Sequence, residues 1–310
     1  ITANNAHYNE NGERIIYCAM RRPDGYCGKP AEAGTDVFAM DTGAGSSTIP
    51  NFDSGFPVDY SLLKQPAANS AFITESRLTG PNYLRTDGND AQVNHSSFIT
   101  WDSNVGWAKN SNWDSLRFSW MWKRHAGFDV VTWAGTNSSR VRSHNLGITP
   151  EMIWFKNRSD TRNWKVYHKG LNGGTNPEDY TINLNQDDPE GGNTSYMTGT
   201  APTSTTFVSG NDDDTNGSGD NYVALLFASV DSISKVGYYT GNGSTQTITT
   251  GFAPRFAIIR RVDGSEDHWL VLDTTRGWAS GDDKGLKLND DAAQGTSEDY
   301  GAPTSTGFSL

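Results

Sequence analysis

Apolar positions along the chain come in short bursts of four to eight residues, separated by Gly, Asn, Asp, Ser and Pro. The bursts are rich in Val, Ile, Phe, Tyr and Trp, which suit a pleated, half-buried surface. Some alternate with polar residues, as in Thr181-Ile182-Asn183-Leu184-Asn185. Others are continuous, as in Tyr222-Val223-Ala224-Leu225-Leu226-Phe227-Ala228, the pattern of a strand buried on both faces. No stretch sustains the i, i+3, i+4, i+7 spacing of an amphipathic helix. The pattern predicts an all-β chain of short antiparallel strands packed as sandwiches.

The same marks recur in the same order. A Gly and Pro turn leads an apolar strand at Gly55-Phe56-Pro57-Val58-Asp59-Tyr60, Gly147-Ile148-Thr149-Pro150-Glu151-Met152 and Gly251-Phe252-Ala253-Pro254-Arg255-Phe256. A basic residue follows nine positions after each Gly: Lys64, Lys156 and Arg260. Next comes a run led by an aromatic, Phe72, Trp164 or Trp269, with a basic residue and a Gly close behind: Arg77 and Gly80, Lys169 and Gly170, Arg276 and Gly277. A short strand then ends in Asp87, Asn185 or Asn289. Ala201-Pro202-Thr203-Ser204-Thr205 returns as Ala302-Pro303-Thr304-Ser305-Thr306. Self-similarity of this kind signals repeated units. We expect tandem antiparallel β-sandwich repeats of roughly 100 residues, each enough for one small core. Their bounds are 37–127, 128–233 and 234–310, the last without a closing strand. Residues 1–36 hold a closing strand, Ile15-Ile16-Tyr17-Cys18-Ala19-Met20-Arg21, and a linker. Its counterparts are Arg117–Lys123 and Tyr222–Ala228. Two readings stand: the chain is an excerpt of a longer repeat protein, or Ile15–Arg21 closes the last unit.

Charge narrows the partners. The formal net charge is −11, with no basic stripe, which argues against nucleic acid. No apolar run is long enough to insert in a membrane as a helix. Cys18 and Cys27 flank a turn and read as free thiols rather than a disulfide scaffold. Asp212, Asp214 and Asn216 match the opening of a calcium loop. The twelfth position, however, is Val223, so an acidic hairpin loop is the better reading, with no metal and no cofactor. Asp290-Asp291 and Asp187–Gly192 read as solvated turns. No nucleophile elbow, phosphate loop or zinc motif is present, and no catalytic residue is assigned. Most of the 10 Trp residues are expected to fill the sandwiches, one or two covering a seam between units; Trp107 and Trp113 are the candidates for stacking on a glycan or forming an interface.

The chain resembles repeated domains of unknown function in large virion structural proteins of marine bacteriophages. The resemblance rests on Ile15–Pro23, Gly34–Phe38, Ser54–Asp59, Ser76–Gly80, Ser143–Met152 and Lys235–Ile248. It implies a non-enzymatic protein of the particle surface, assembled in the host cytoplasm, in a tail fibre or other appendage. It implies partners among other virion proteins and a homo-oligomer. A capsid decoration protein, a carbohydrate-binding module for host polysaccharide and a depolymerase are the alternatives.

Overall fold

The computed structural model describes residues 33–44, 49–109, 116–264 and 267–310. Every described strand belongs to the compact unit of residues 31–310. The strand expected at Ile15–Arg21, both cysteines and Trp113 lie outside the described residues. The chain is all-β, in several antiparallel sheets.

The first block of chain carries β1 (Phe38–Thr42), β2 (Phe52–Asp53), β3 (Tyr60–Lys64), β4 (Ile73–Ser76), β5 (Asn82–Arg85), β6 (Val93–Asn94), β7 (Gly106–Trp107) and β8 (Phe118–Trp122). Six of these form a sheet in the order β1-β8-β3-β4-β5-β6, while β2 pairs with β7. The second block carries β9 (Phe128–Ala134), β10 (Arg140–Ser143), β11 (Met152–Asn157), β12 (Lys165–His168), β13 (Tyr180–Asn183), β14 (Gly191–Gly192), β15 (Thr206–Ser209) and β16 (Asn221–Phe227). Its sheet runs β9-β16-β11-β12-β13-β14, with β10 on β15. Strand for strand, the two orders are the same.

The third block carries β17 (Thr247–Thr249), β18 (Phe256–Ile259), β19 (Leu270–Asp273), β20 (Asp283–Lys287), β21 (Gly295–Glu298), β22 (Pro303–Thr304) and β23 (Gly307–Ser309). Its main sheet is β18-β19-β20-β21, and β17 pairs with β23. Among the described residues it has no counterpart of the closing strands β8 and β16.

Alternation of side chains across each strand divides the core. Inward residues of all three main sheets, among them Leu62, Trp120, Trp154, Trp164, Leu225, Trp269 and Val271, share one buried cluster. Outward residues pack under the small ribbons: Leu63 and Met121 with Phe52 and Trp107, Phe155 and Leu226 with Phe207, and Leu272 with Phe308. This double burial explains the continuous apolar run of β16. The leading glycines Gly55, Gly147 and Gly251 all have positive φ, 76°, 71° and 89°. Only Gly enters that left-handed region freely, which is why each turn keeps one.

The aromatic-led mark needs one correction. The N–H groups of Arg77 and Lys169 donate to the carbonyls of Asp59 and Glu151, and the matching bond in the third block comes from Thr274 to Arg255. Arg276 is therefore not the third counterpart. It is buried, and its Nε pairs with Asp273 at 2.6 Å.

Candidate functional site

The basic residues nine positions after each glycine do one job three times. The ammonium of Lys156, in the second block, donates to Asn89 O of the first at 2.9 Å. Arg260, in the third, donates to Asp188 O of the second at 2.6 Å. Lys64, in the first, donates to Asp291 O of the third at 2.9 Å. Each block thus grips the loop that follows β5, β13 or β20 in the block before it, and the first grips the last. Backbone pairs follow the same cycle: Gln92 N to Arg158 O, Glu190 N to Val262 O and Gln294 N to Pro66 O. Indoles add to it, Trp164 Nε1 donating to Arg85 O at 2.8 Å and Trp269 Nε1 to Asn183 O at 3.2 Å. At the third junction Thr86 Oγ1 donates to Leu288 O at 2.7 Å.

These junctions bring the ends of β5, β13 and β20 together around an open, polar cavity of about 350 Å³. Each block contributes one edge: Arg85 and Asp87, then Asn185, Gln186 and Asp187, then Asn289, Asp290 and Asp291. His268 completes the lining. The polar ends are held in place from behind. Asn185 Oδ1 accepts from Trp164 N and Asn289 Oδ1 from Trp269 N, both at 3.0 Å. In the first block Asp87 instead takes both arms of Arg85, at 3.1 and 2.8 Å. That hydrogen bonding raises the Arg85 pKa further. His268 Nδ1 is buried without a hydrogen-bond partner among the described residues. Such a cup offers amides, carboxylates and one guanidinium to a hydroxyl-rich ligand.

Asp290-Asp291 and Asp187–Gly192 are therefore not simple solvated turns. Asp187, Asp290 and Asp291 line the cavity, and Asp188 and Asp291 supply carbonyls that the clamps grip. The signal is present in the sequence, since a basic residue at a fixed offset and an Asn or Asp at a strand end recur in every copy. Nothing local says that they meet.

The expected candidates sit elsewhere. Trp107 is fully buried. Its ring stacks on Trp101 with centroids 5.2 Å apart, and its Nε1 donates to Ser119 Oγ at 3.0 Å. It fills the first block's outer core and offers no face to a glycan. The calcium-like opening folds as a one-turn helix, α1 (Asp213–Asn216), capped by Asp212 through Asp214 N at 2.8 Å. Asp214 pairs with Lys165 at 3.2 Å. The Asn216 Nδ2 donates to Ser138 O and Gly210 O at 2.6 and 2.8 Å. Its Oδ1 accepts from Arg142 Nη2 at 3.0 Å. The oxygens are spent inside the fold. No group of three or more His, Cys, Asp or Glu among the described residues is placed to hold a metal ion.

One buried acid lies apart from the cavity. Glu75 is 2 % exposed and its carboxylate oxygens have no hydrogen-bond partner among the described residues. Burial pushes its pKa well above the usual carboxylate range, opposed only by the charge of Arg117.

A family model described as a domain of unknown function (DUF7483) matches residues 59–310. No curated protein and no solved structure matches the chain.

Proposed function

The chain belongs to the DUF7483 family, and we propose that it is a non-enzymatic structural protein of a bacteriophage particle, in a fibre or other surface appendage. It is built of tandem repeats of roughly 100 residues, each a sandwich of one main sheet and one small ribbon. The observation that carries this reading is the clamp cycle. Lys64, Lys156 and Arg260 each tie one block to the block before it. Residues recurring at fixed offsets are thus spent on holding sheets together, as a load-carrying assembly unit requires. The resemblance to virion proteins supplies the setting. Its partners are other virion proteins and further copies of itself.

The test is location. Particles purified from the lysate of its own host are probed with an antibody raised against residues 33–310. The protein should co-purify with intact particles and label their surface. Recovery only as free protein overturns the proposal.

The cavity lined by Arg85, Asn185 and Asn289 favours a second reading, a host-polysaccharide contact. Its amides and carboxylates match sugar hydroxyls better than the buried Trp107 does. Titration of the protein with host surface polysaccharide should show saturable binding that Asn185→Ala weakens at least tenfold. Binding that Asn185→Ala leaves intact removes the cavity from consideration.

A further inference from the structure

The second main sheet brings a lysine, a side-chain amide and a carboxyl together on one face. Lys165 on β12 and Asn183 on β13 are register partners, so their side chains leave the sheet side by side. Lys165 Nζ lies 3.3 Å from Asn183 Oδ1 and 3.2 Å from Asp214 Oδ2, a carboxyl supplied by α1. At the other end of the amide, Asn183 Nδ2 donates to Gln186 Oε1. The group is drier than a surface ion pair. The side chains of Lys165 and Asp214 are 13 % and 18 % exposed, and the register partner of Lys165 on β11 is the fully buried Phe155. Nothing in the repeat requires such a group. The matching register pairs are Ile73 with Arg85 in the first sheet and Leu270 with Lys287 in the third. Among the described residues, α1 has no counterpart in either block.

We propose that Lys165 and Asn183 become joined by an amide bond from Nζ to Cγ, formed within the fold with Asp214 carrying the proton. A lysine attacks only as the free amine, and Asp214 stands within reach of its ammonium to take one proton. Nζ then bonds to Cγ, the carbon that bears Oδ1. A second Nζ proton passes to Nδ2 as the Cγ–Nδ2 bond breaks. Ammonia departs with the proton left on Asp214. An ammonium and a primary amide thus become a secondary amide and an ammonium ion, with no oxidant, reductant or cofactor consumed. The fold supplies what the step needs. It holds nucleophile and amide at the separation of reacting groups, and Gln186 fixes the leaving end. Burial holds the Asp214 carboxyl above the ordinary carboxylate range, against the opposing charge of Lys165, which makes it a better acceptor of the lysine proton. The bond also has a structural use. β12 and β13 share only two register pairs, yet Asn183 O receives the Trp269 indole that ties the third block to the second. A covalent tie anchors that junction where the ladder is short. The proposal concerns the chemistry of three side chains and stands whether or not the protein belongs to a virion.

Intact-mass spectrometry of the whole purified chain is the test. The wild type should weigh one ammonia molecule less than its sequence requires. A tryptic digest should yield a branched peptide that joins Lys165 to Asn183. Lys165→Arg and Asn183→Ala should each restore the full mass, and Asp214→Ala should leave most chains at full mass. The wild-type result decides even where a variant fails to fold. A wild-type chain at full mass, with Lys165 and Asn183 in separate peptides, overturns the proposal. So does an ammonia loss that maps to a succinimide at an Asn-Gly step such as Asn242-Gly243. A bond formed as completely in Asp214→Ala as in the wild type overturns the part given to Asp214.

Discussion

Replacing Lys156 with Met tests the clamp cycle through its pH dependence. Lys156 is fully buried, and its ammonium donates to Asn89 O at 2.9 Å and Arg162 O at 2.7 Å. Methionine fills similar volume without a donor. Two bonds from a charged donor are worth about 3 kcal/mol together at the low end. Part of that is offset because methionine carries no charge to desolvate, which leaves a net cost of about 1–2 kcal/mol at pH 7. Burial pulls the Lys156 pKa from 10.5 down to about 8. The sign follows from linkage. The folded chain sheds this proton before the unfolded chain does, so the wild type gains stability as pH rises above 8 and loses that gain as pH falls back through 8. By pH 9 the gain is about 1.4 kcal/mol, and the methionine variant cannot share it. The variant's deficit should therefore widen between pH 7 and pH 9 in urea unfolding followed by Trp fluorescence. Arg260→Met is the internal control. Its bond is exposed and arginine stays charged over this range, so its deficit should be smaller and flat. A Lys156→Met deficit that is constant or shrinks with pH would falsify the claim that the ammonium is buried in the junction.

Other consequences are accessible to the same assay. Trp164→Phe removes the bond to Arg85 O and should cost about 1 kcal/mol. Trp120→Phe removes a bond to the buried Asp273 carboxylate, 3.0 Å away, and should cost about 2 kcal/mol because its acceptor is charged; equal costs would contradict the geometry. Glu75→Gln should gain on the wild type as pH rises from 4 to 7. The raised pKa of Glu75 means that its contribution is fully present below about 4.5 and is lost as pH rises toward the folded pKa. The gain is about 1.4 kcal/mol for each unit of elevation reached, and a pH-independent difference would refute it. Asn216→Ala should cost about 3 kcal/mol or more, since it breaks bonds to Ser138, Gly210 and Arg142. Millimolar calcium or a chelator should leave the unfolding midpoint where it is, and a calcium-dependent rise would restore Asp212 and Asp214 as ligands.

What can be read from the sequence depends on how far each residue acts along the chain. A strand needs only its own pattern, so β11, β12 and β16 are legible as apolar runs. A left-handed turn needs only one residue, so Gly55, Gly147 and Gly251 are legible as punctuation. Trp107 resembles a surface candidate because a Trp among Asn and Ser looks exposed. Its burial depends on β2, which supplies Phe52 stacked 5.6 Å away, and a two-residue strand leaves no periodic signal. Asp212–Gly217 reads as a loop because a single helical turn is too short to show a period.

The clamps mark the boundary between what repeats and what must be seen folded. Lys64, Lys156 and Arg260 are visible as a repeated position, and repetition alone says that the position matters. It does not say to what. Two of the three junctions join neighbouring blocks, and a linear array would supply those. The third joins Lys64 to Asp291 across 227 positions, and only a closed cycle supplies it. Closing a long loop costs little more entropy than closing one of half the length. The last junction can thus be made from the same residue types as the first two. Thr86 to Leu288 and Gln294 to Pro66 reinforce it. That economy explains why the third copy keeps a basic residue at its position and Asn289 at its strand end, even though its sheet lacks, among the described residues, the closing strand of the other two. Each copy is constrained by the neighbour it grips and by the neighbour that grips it, and in a cycle no copy is exempt.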